Sequence, residues 1–430
     1  MLTREENELL TRTDRGAPMG ETMRRYWIPA LMSVEVPEPD GPPVRVRLLG
    51  EDLVAFRDSS GRVGLLEEGC PHRLASLWLG RNENGGLRCV YHGWKFDVTG
   101  QCTEQMNEPE SFAHKIRVTA YPVVERGGLV WAYLGPADRQ PPAPDFEWTR
   151  VPESHRNVTK VVEQCNWLQG LEGGIDTSHA PILHRRLTLD TKEPGISANT
   201  PLVQGSAPLL EVDVTDYGYR YFGVRELKGN RVYARGYQFV MPFTQLRPQR
   251  YDLATNEERL VIPGHIWVPR DDHSCVVYNW IYSYGDEPLN AEDRLETNLG
   301  NGPQYVDEEN GYVSRANRSN NWNIDRRIQQ RETFTGIRGI NAQDRAVQES
   351  MGRVVDRSRE HLGPADKAVI AMRRLLIQAV RTVQEGGNPL GASDAYYQVR
   401  AEEVLTAAGS DWRSELLPLM DLRATLPVRG

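Results

Sequence analysis

Two short clusters, Cys70-Pro71-His72 and Cys89-Val90-Tyr91-His92, constrain this chain more than anything else in it. Sixteen residues lie between His72 and Cys89, so two loops can each bring one thiol and one imidazole to a single point. Thiolates bind ferric iron and zinc, and imidazole is a neutral ligand that suits both. A structural zinc site can use two cysteines and two histidines, but it ordinarily pairs Cys with Cys and His with His along the chain. Here each loop supplies one of each. That mixed pairing suits a [2Fe–2S] centre in which both cysteines hold one iron and both histidines hold the other. Zinc is the alternative.

The residues around the two clusters read as a small antiparallel β domain. PVRVRLL, DLVAFRD, RVGLLEE, AYPVVER and GLVWAYLG are short β-branched or aromatic runs, broken at Ser59-Ser60-Gly61, Gly85-Gly86 and Gly127-Gly128. Upstream, Thr3 with Glu6 fits a capping box and predicts a short N-terminal helix. Downstream, Gly135-Pro136 and Pro141-Pro142-Ala143-Pro144 read as a stiff linker. The expected division is an N-terminal helical segment over 1–26 that packs on the catalytic domain, the β domain over 27–136, and a larger domain over 137–430.

In that larger domain, residues from about Val161 to Arg186 read as helical and 209–283 as successive strands. The C-terminal third reads as helical, with Val369, Met372, Leu376, Ala379 and Val383 at helix spacing. The fold class is therefore α+β, an all-β domain followed by an antiparallel sheet flanked by helices in a helix-grip-like arrangement.

Composition narrows the function. A net charge of -8 and the absence of a basic run argue against nucleic acid. No apolar run is long enough to span a bilayer. The start, MLTREENELLTR, has no apolar segment, and five cysteines are an odd number, so reduced thiols in the cytoplasm are expected. Cys102, Cys165 and Cys275 fall outside the ligand pattern and read as buried structural thiols.

A second constellation is Glu172-x3-Asp176-x2-His179-x4-His184. On an ideal helix of about 100° per residue, His179 lies about 60° to one side of Asp176 and His184 about 80° to the other. Both imidazoles reach one metal only if the turn holding Pro181 is distorted. Two histidines and a carboxylate make the facial triad that binds Fe(II) with open positions for O2. The plain alternative is a pair of satisfied structural histidines near a helix end.

Cys70-Pro71-His72 with Cys89-Val90-Tyr91-His92-Gly93-Trp94-Lys95-Phe96 resembles the Rieske box of ring-hydroxylating oxygenases. The histidine segment is similar to that of the phthalate-dioxygenase-like and aromatic O-demethylase-like branch, and the resemblance runs from MLTREEN to REHLGPADKAV. It implies that Cys70 and Cys89 hold the inner iron of a Rieske [2Fe–2S] cluster and that His72 and His92 hold the outer one. His179 and His184 would bind a mononuclear Fe(II), one per subunit. Asp176 would link a ligand histidine to a cluster histidine of the neighbouring subunit, and Glu172, at the motif's acidic position, is expected in the second shell.

The missing carboxylate is expected from Asp344, which matches the ligand position of relatives. Asp356 and Asp366 compete, but each is followed by a cation and suits an exposed helix or a cap.

The implied activity is O2- and NAD(P)H-dependent dihydroxylation or monooxygenation of an aromatic acid by the oxygenase component of a multicomponent enzyme. O-demethylation of a methoxylated aromatic is the alternative, and a non-catalytic Rieske electron carrier is the rival of another class. No GxGxxG opens a βαβ unit, so electrons from NADH would come through a separate flavin/iron–sulfur reductase or a ferredoxin. A head-to-tail homotrimer, or a dimer of trimers, is the expected assembly.

For the substrate, an aromatic carboxylate or phenol, strand alternation puts Tyr233, Arg235, Tyr237 and Phe239 on one face. Arg235 is either the partner of an aryl carboxylate or part of a solvated sheet face. Thr177 and Ser178 are the other candidates for the pocket wall.

Overall fold

The computed structural model describes residues 2–392 and 397–422. It divides into two compact units: Arg12–Pro144 with Pro269–Asp272, and Met1–Thr11 with Asp145–Val268 and His273–Gly430. The stretch 1–26 is thus not one segment. Helix Arg4–Thr11 belongs to the larger unit and helix Pro18–Met23 to the smaller. The capping box is present, with the Thr3 amide on Glu6 Oε2 at 3.0 Å and the Glu6 amide on Thr3 Oγ1 at 3.1 Å.

The smaller unit is built from three antiparallel sheets. One pairs Trp27–Met32, Leu129–Tyr133 and Val123–Arg126, and a second pairs Val44–Leu48, Glu51–Arg57 and Val63–Glu67. The third has four short strands, Arg81–Glu83, Gly86–Arg88, Trp94–Phe96 and Cys102–Gln105. The sequence reading found the long strands of the first two sheets but missed Trp27–Met32 and the whole third sheet. Three- and four-residue strands are too short to show alternation. An Asn84-Gly85 turn, with φ of 51° and 79°, closes the first hairpin of that sheet. Asn-Gly is the preferred pair where both turn residues need positive φ.

The core of this unit contains Val54, Phe56, Leu66, Leu77, Leu87, Trp94 and Phe96, with Cys70 and Cys89 buried among them.

The larger unit carries a ten-stranded sheet in the order Leu209–Val214, Gly218–Leu227, Arg231–Val240, Thr244–Leu246, Val261–Asp271, Ser274–Ser283, Arg156–Glu163, Val313–Ser314, Val306–Asp307. Glu402–Ala407 also pairs with Arg231–Val240. Helix Lys367–Gln384 buries Val369, Met372, Leu376 and Ala379, as its spacing predicts. Helix Trp412–Met420 packs Leu416 and Met420 on Phe222 and Ala234.

Two expectations need correcting here. Residues 161–163, expected to begin a helix, are the end of the strand Arg156–Glu163, and the C-terminal third contains the strand Glu402–Ala407. Both strands gain their place from pairing with segments far away in sequence, which local periodicity does not report.

Among the described residues, no helix is long and apolar enough to cross a membrane.

Candidate metal centres and the adjoining cavity

The two loops of the smaller unit repeat one design. Leu74 N donates to Cys70 O at 2.7 Å and Gly93 N to Cys89 O at 3.0 Å, and each loop turns through a residue of positive φ, Leu74 at 60° and Gly93 at 76°. Gly93 is required twice over, since a Cβ there would also sit 2.7 Å from Met106. Cys70 and Cys89 are buried, while His72 and His92 are half-buried with ring centroids 4.4 Å apart. Thiols pair with thiols on the inside and imidazoles with imidazoles on the outside.

Trp94 stacks flat on His72 at 4.5 Å and is itself anchored through Nε1 to Asn107 at 2.9 Å. His72 Nδ1 is buried without a hydrogen-bond partner. A buried lone pair left that way is costly unless something else takes it. Burial, with the neighbouring Cys89 thiol adding to it, pushes the Cys70 thiol up to about 12, and a bound cation would reverse this. Cys102, Cys165 and Cys275 are free and buried, as expected of packing thiols.

In the larger unit, helix Trp167–Ile175 starts at Asn166, whose side chain accepts from Leu168 N at 3.1 Å. Glycines at 170 and 174 let the Trp267 indole lie against it, where a Cβ would be 2.4 and 2.1 Å from the ring. The helix ends at Ile175, and Asp176 is already extended. A new turn, Ala180–Leu183, follows with Pro181 in its first positions, where a missing N–H costs nothing. The break therefore lies before His179 rather than at Pro181, and the proline begins a turn instead of distorting one. The ideal-helix angles do not apply.

This break brings His179 and His184 together with Asp344 from helix Ile340–Ser350. His179 Nε2 lies 3.3 Å and His184 Nε2 3.2 Å from Asp344 Oδ1, and the two nitrogens are 3.3 Å apart. Three donors bound to one face of an ion at about 2.1 Å would be spaced by about 3.0–3.4 Å.

The far nitrogens are held too. His179 Nδ1 faces Asp176 Oδ2 at 3.4 Å, and His184 Nδ1 faces Gln343 Oε1 at 2.8 Å. Such partners fix the ring orientation of ligand histidines. Burial opposes charge at His179, but Asp176 and Asp344 outweigh it and hold its pKa up to about 10. Burial likewise opposes charge on Asp344, yet the two histidines keep its carboxyl well below the usual range. The cluster attracts a cation.

The other predicted residues have different places. Glu172 does not turn toward the triad: Arg357 contacts it at 2.9 Å and Arg373 at 2.6 Å, so it ties the helix to the C-terminal segments. Ser178 turns back on Asp176 Oδ1 through its amide at 2.7 Å and its hydroxyl at 2.6 Å. Thr177 does line the cavity beside the triad, with its Oγ1 bonded to the Tyr237 hydroxyl. Asp356 accepts from Ser358 N at 3.1 Å as a cap and Asp366 accepts from Gly363 N at 2.7 Å, and neither is among the three converging donors.

Arg235 lines the cavity but is buried, not on a solvated face, and its Nε is 2.9 Å from Glu403 Oε2. Its charge is already matched. The cation that sequence reasoning missed is Arg247, whose Nε and Nη2 are buried in the same cavity with no partner. Burial lowers the Arg247 pKa to about 10, so it stays charged at neutral pH. Nothing in RPQR marks it out; only the fold shows that it faces the cavity.

Residues 26–122 match the family model described as Rieske [2Fe-2S] domain, and residues 132–418 match the LigXa C-terminal domain like model. The chain is 38% identical to the phthalate 4,5-dioxygenase oxygenase subunit of Pseudomonas putida, over 96% of this chain and 94% of that one. It is also 38% identical to the 3-chlorobenzoate-3,4-dioxygenase oxygenase subunit of Comamonas testosteroni, over 96% and 98%. Identity to the 5,5'-dehydrodivanillate O-demethylase oxygenase subunit of a Sphingobium strain is 32%, over 90% and 83%. Among solved structures, dicamba monooxygenase bound to dicamba shares the fold with a TM-score of 0.59 at 20% identity, over 84% of this chain and 98% of that one.

The chain belongs to the Rieske non-heme iron oxygenases, as an oxygenase subunit of the phthalate-dioxygenase-like branch. It is an oxidoreductase component carrying one Rieske [2Fe–2S] cluster and one mononuclear iron. The donor chemistry fits both groups: an orphaned imidazole nitrogen over buried thiols in one unit, and three convergent donors in the other.

Proposed function

We propose that this chain oxidises an aromatic carboxylic acid, with electrons from NAD(P)H delivered by a separate flavin/iron–sulfur reductase or a ferredoxin. Cys70, Cys89, His72 and His92 hold the cluster, and His179, His184 and Asp344 hold the iron. When bound, the cluster supplies electrons and the iron supplies activation of O2. Asp176 fixes the His179 ring from behind, and Gln343 does the same for His184.

The observation that carries the substrate class is Arg247. A guanidinium whose Nε and Nη2 are buried without a hydrogen-bond partner, in a cavity shared with the triad, is costly unless a bound anion completes it. The named activities of three relatives, on phthalate, chlorobenzoate and dehydrodivanillate, agree with this.

The test is turnover of the loaded protein with its reductase on a panel of benzoates and methoxybenzoates, with product masses read out. Oxidation of one of these acids, lost in Arg247→Met with both metal centres retained, is the expected result. Turnover confined to neutral aromatics would contradict it. A mass loss of a methyl group would assign O-demethylation rather than ring hydroxylation.

The working assembly in this reading is a homotrimer, or a dimer of trimers, in which Asp176 meets a cluster histidine of another copy. Two exposed surfaces support it. Ile182, Phe334, Val347 and Met351 are exposed in or beside a groove that also holds Asp176 and His179. Leu74, Val90, Tyr91 and Met106 are exposed around the cluster loops. Large apolar side chains left in contact with water at both ends of an electron path suit mutual burial. Sedimentation should give a mass of three times 48.7 kDa, or double that, and a monomer active at high dilution would contradict it. The five free thiols suit a reducing, cytoplasmic setting.

A further inference from the structure

The polar wall of the cavity beside the triad specifies more than an anion. Gln245, Arg247 and Gln249 alternate along one segment and all line the cavity, and His265 stands directly opposite Gln245 across the Thr244–Leu246 and Val261–Asp271 pairing.

The Gln245 amide can be oriented from its neighbours. Its nitrogen donates to the Gly174 carbonyl, which can only accept, and to the Tyr221 hydroxyl at 2.6 Å. Both N–H groups are used, and Oε1 is buried with no donor facing it.

The His265 tautomer follows from the same accounting. The Asn279 nitrogen donates to the Val277 carbonyl and to Thr159, so Asn279 Oδ1 is the acceptor for His265 Nδ1–H at 2.7 Å. Burial, reinforced by the charge on Arg247, pushes the His265 pKa down to about 3, and Nε2 keeps its lone pair. Gln249 Oε1 is a further buried acceptor without a donor.

The wall therefore offers Arg247, with two nitrogens that lack acceptors, beside unmatched acceptors on Gln245 and Gln249. Of the other two guanidiniums in the wall, Arg235 is neutralised by Glu403, and Arg345 spends its Nη1 on Asn301 Oδ1 at 2.9 Å and its Nη2 on the Gly300 carbonyl at 2.6 Å, which leaves only its Nε unmatched. A second carboxylate on the ring would place lone pairs against the lone pairs of Gln245 and His265. A hydroxyl or amino group there would donate into them.

We infer that the cavity is built for an aromatic acid with a single carboxylate, held by Arg247, and a ring hydroxyl or amino group that donates to Gln245 and its neighbours, rather than for a dicarboxylate. This rests on the aromatic-acid reading above and narrows it. It separates this chain from the relative named for phthalate, whose two carboxylates present acceptors only.

The experiment is calorimetric titration of the anaerobic protein, both metal centres loaded, with benzoate, the three hydroxybenzoates, the three aminobenzoates and phthalate. At least one hydroxy or amino acid should bind about tenfold or more tighter than benzoate, since a site with buried unpaired acceptors discriminates against a ligand that leaves them unpaired. Phthalate should bind more weakly than benzoate.

In Gln245→Met, of similar size, the preference of the hydroxy or amino acid over benzoate should shrink. His265→Phe provides a second variant should the first fail to fold. Benzoate binding that requires Arg247 but gains nothing from any ring donor would show that water serves the acceptors, and would overturn this inference alone. Benzoate binding unchanged in Arg247→Met would overturn the aromatic-acid reading itself. Phthalate binding tighter than every hydroxy and amino acid would also overturn the inference.

Discussion

Arg235 and Glu403 face each other across adjacent strands, with Nε 2.9 Å from Oε2, and both side chains are buried. Tyr233 and the Tyr251 amide complete the Glu403 carboxylate. Removing one partner of such a pair leaves an uncompensated buried charge and costs about 3–5 kcal/mol. Glu403→Leu should therefore lower the melting temperature sharply, and adding Arg235→Met to it should recover part of the loss. If the double variant is the less stable by the sum of the two single effects, the pair does not act as a unit.

Gln343 orients His184 by accepting from its Nδ1 at 2.8 Å, and it is itself held by donating to the Ile337 carbonyl at 2.8 Å. Gln343→Leu should weaken retention of the mononuclear iron by about 10–100-fold, the usual effect of losing such a partner. Iron release timed against a chelator measures this, and the visible spectrum of the cluster should not change. Equal release from variant and wild type would remove Gln343 from the site.

Gly93 closes the second cluster loop at a φ of 76° with Met106 against its α-carbon. Gly93→Ala adds about 1–2 kcal/mol of left-handed strain and a clash that Met106 must relieve by moving. The expected protein is purified with less acid-labile sulfide and bleaches sooner in air. Full sulfide content with normal air stability would show that the loop tolerates the side chain.

Much of this was legible in the sequence, for reasons that differ by residue. Cys70, His72, Cys89 and His92 lie within two short loops, so their spacing alone limits what they can hold. The capping box at Thr3 and Glu6 and the apolar spacing of Lys367–Gln384 are local patterns, and the structure keeps them. The path of the chain between Asp176 and His184 was not legible, because the helix ends at Ile175 with Asp176 extended, well before the proline is reached. Arg235 was found, and it lines the cavity, but its counter-ion Glu403 lies far along the chain on a strand that periodicity did not show. Arg247, Gln245 and His265 carry no motif; they matter only because unpaired polar atoms converge once the sheet has formed.

Glu163 lines the same cavity, is fully buried, and has its pKa raised from 4.5 to about 8, mainly by desolvation. The folded chain thus keeps a proton that the unfolded chain releases. The sign follows: this contribution to stability is whole below pH 4.5, shrinks as the pH rises, and is lost by about pH 8. The slope is about 1.4 kcal/mol per pH unit within that window. Glu163→Gln should abolish it, so the variant should gain in melting temperature relative to wild type between about pH 6 and about pH 8. Parallel curves for the two proteins would show that Glu163 is ionised in the folded state.

The central claim is that two separate sets of residues hold two separate metal groups. Iron and acid-labile sulfide analysis of wild type and of Asp344→Ala tests it most directly. Wild type should hold about three irons for every two sulfides, two in the cluster and one at the triad. Asp344→Ala should lose about one iron in three, keep its sulfide and its Rieske spectrum, and show no turnover. Zinc without sulfide in the wild-type protein, or full iron content and activity in Asp344→Ala, would contradict the account.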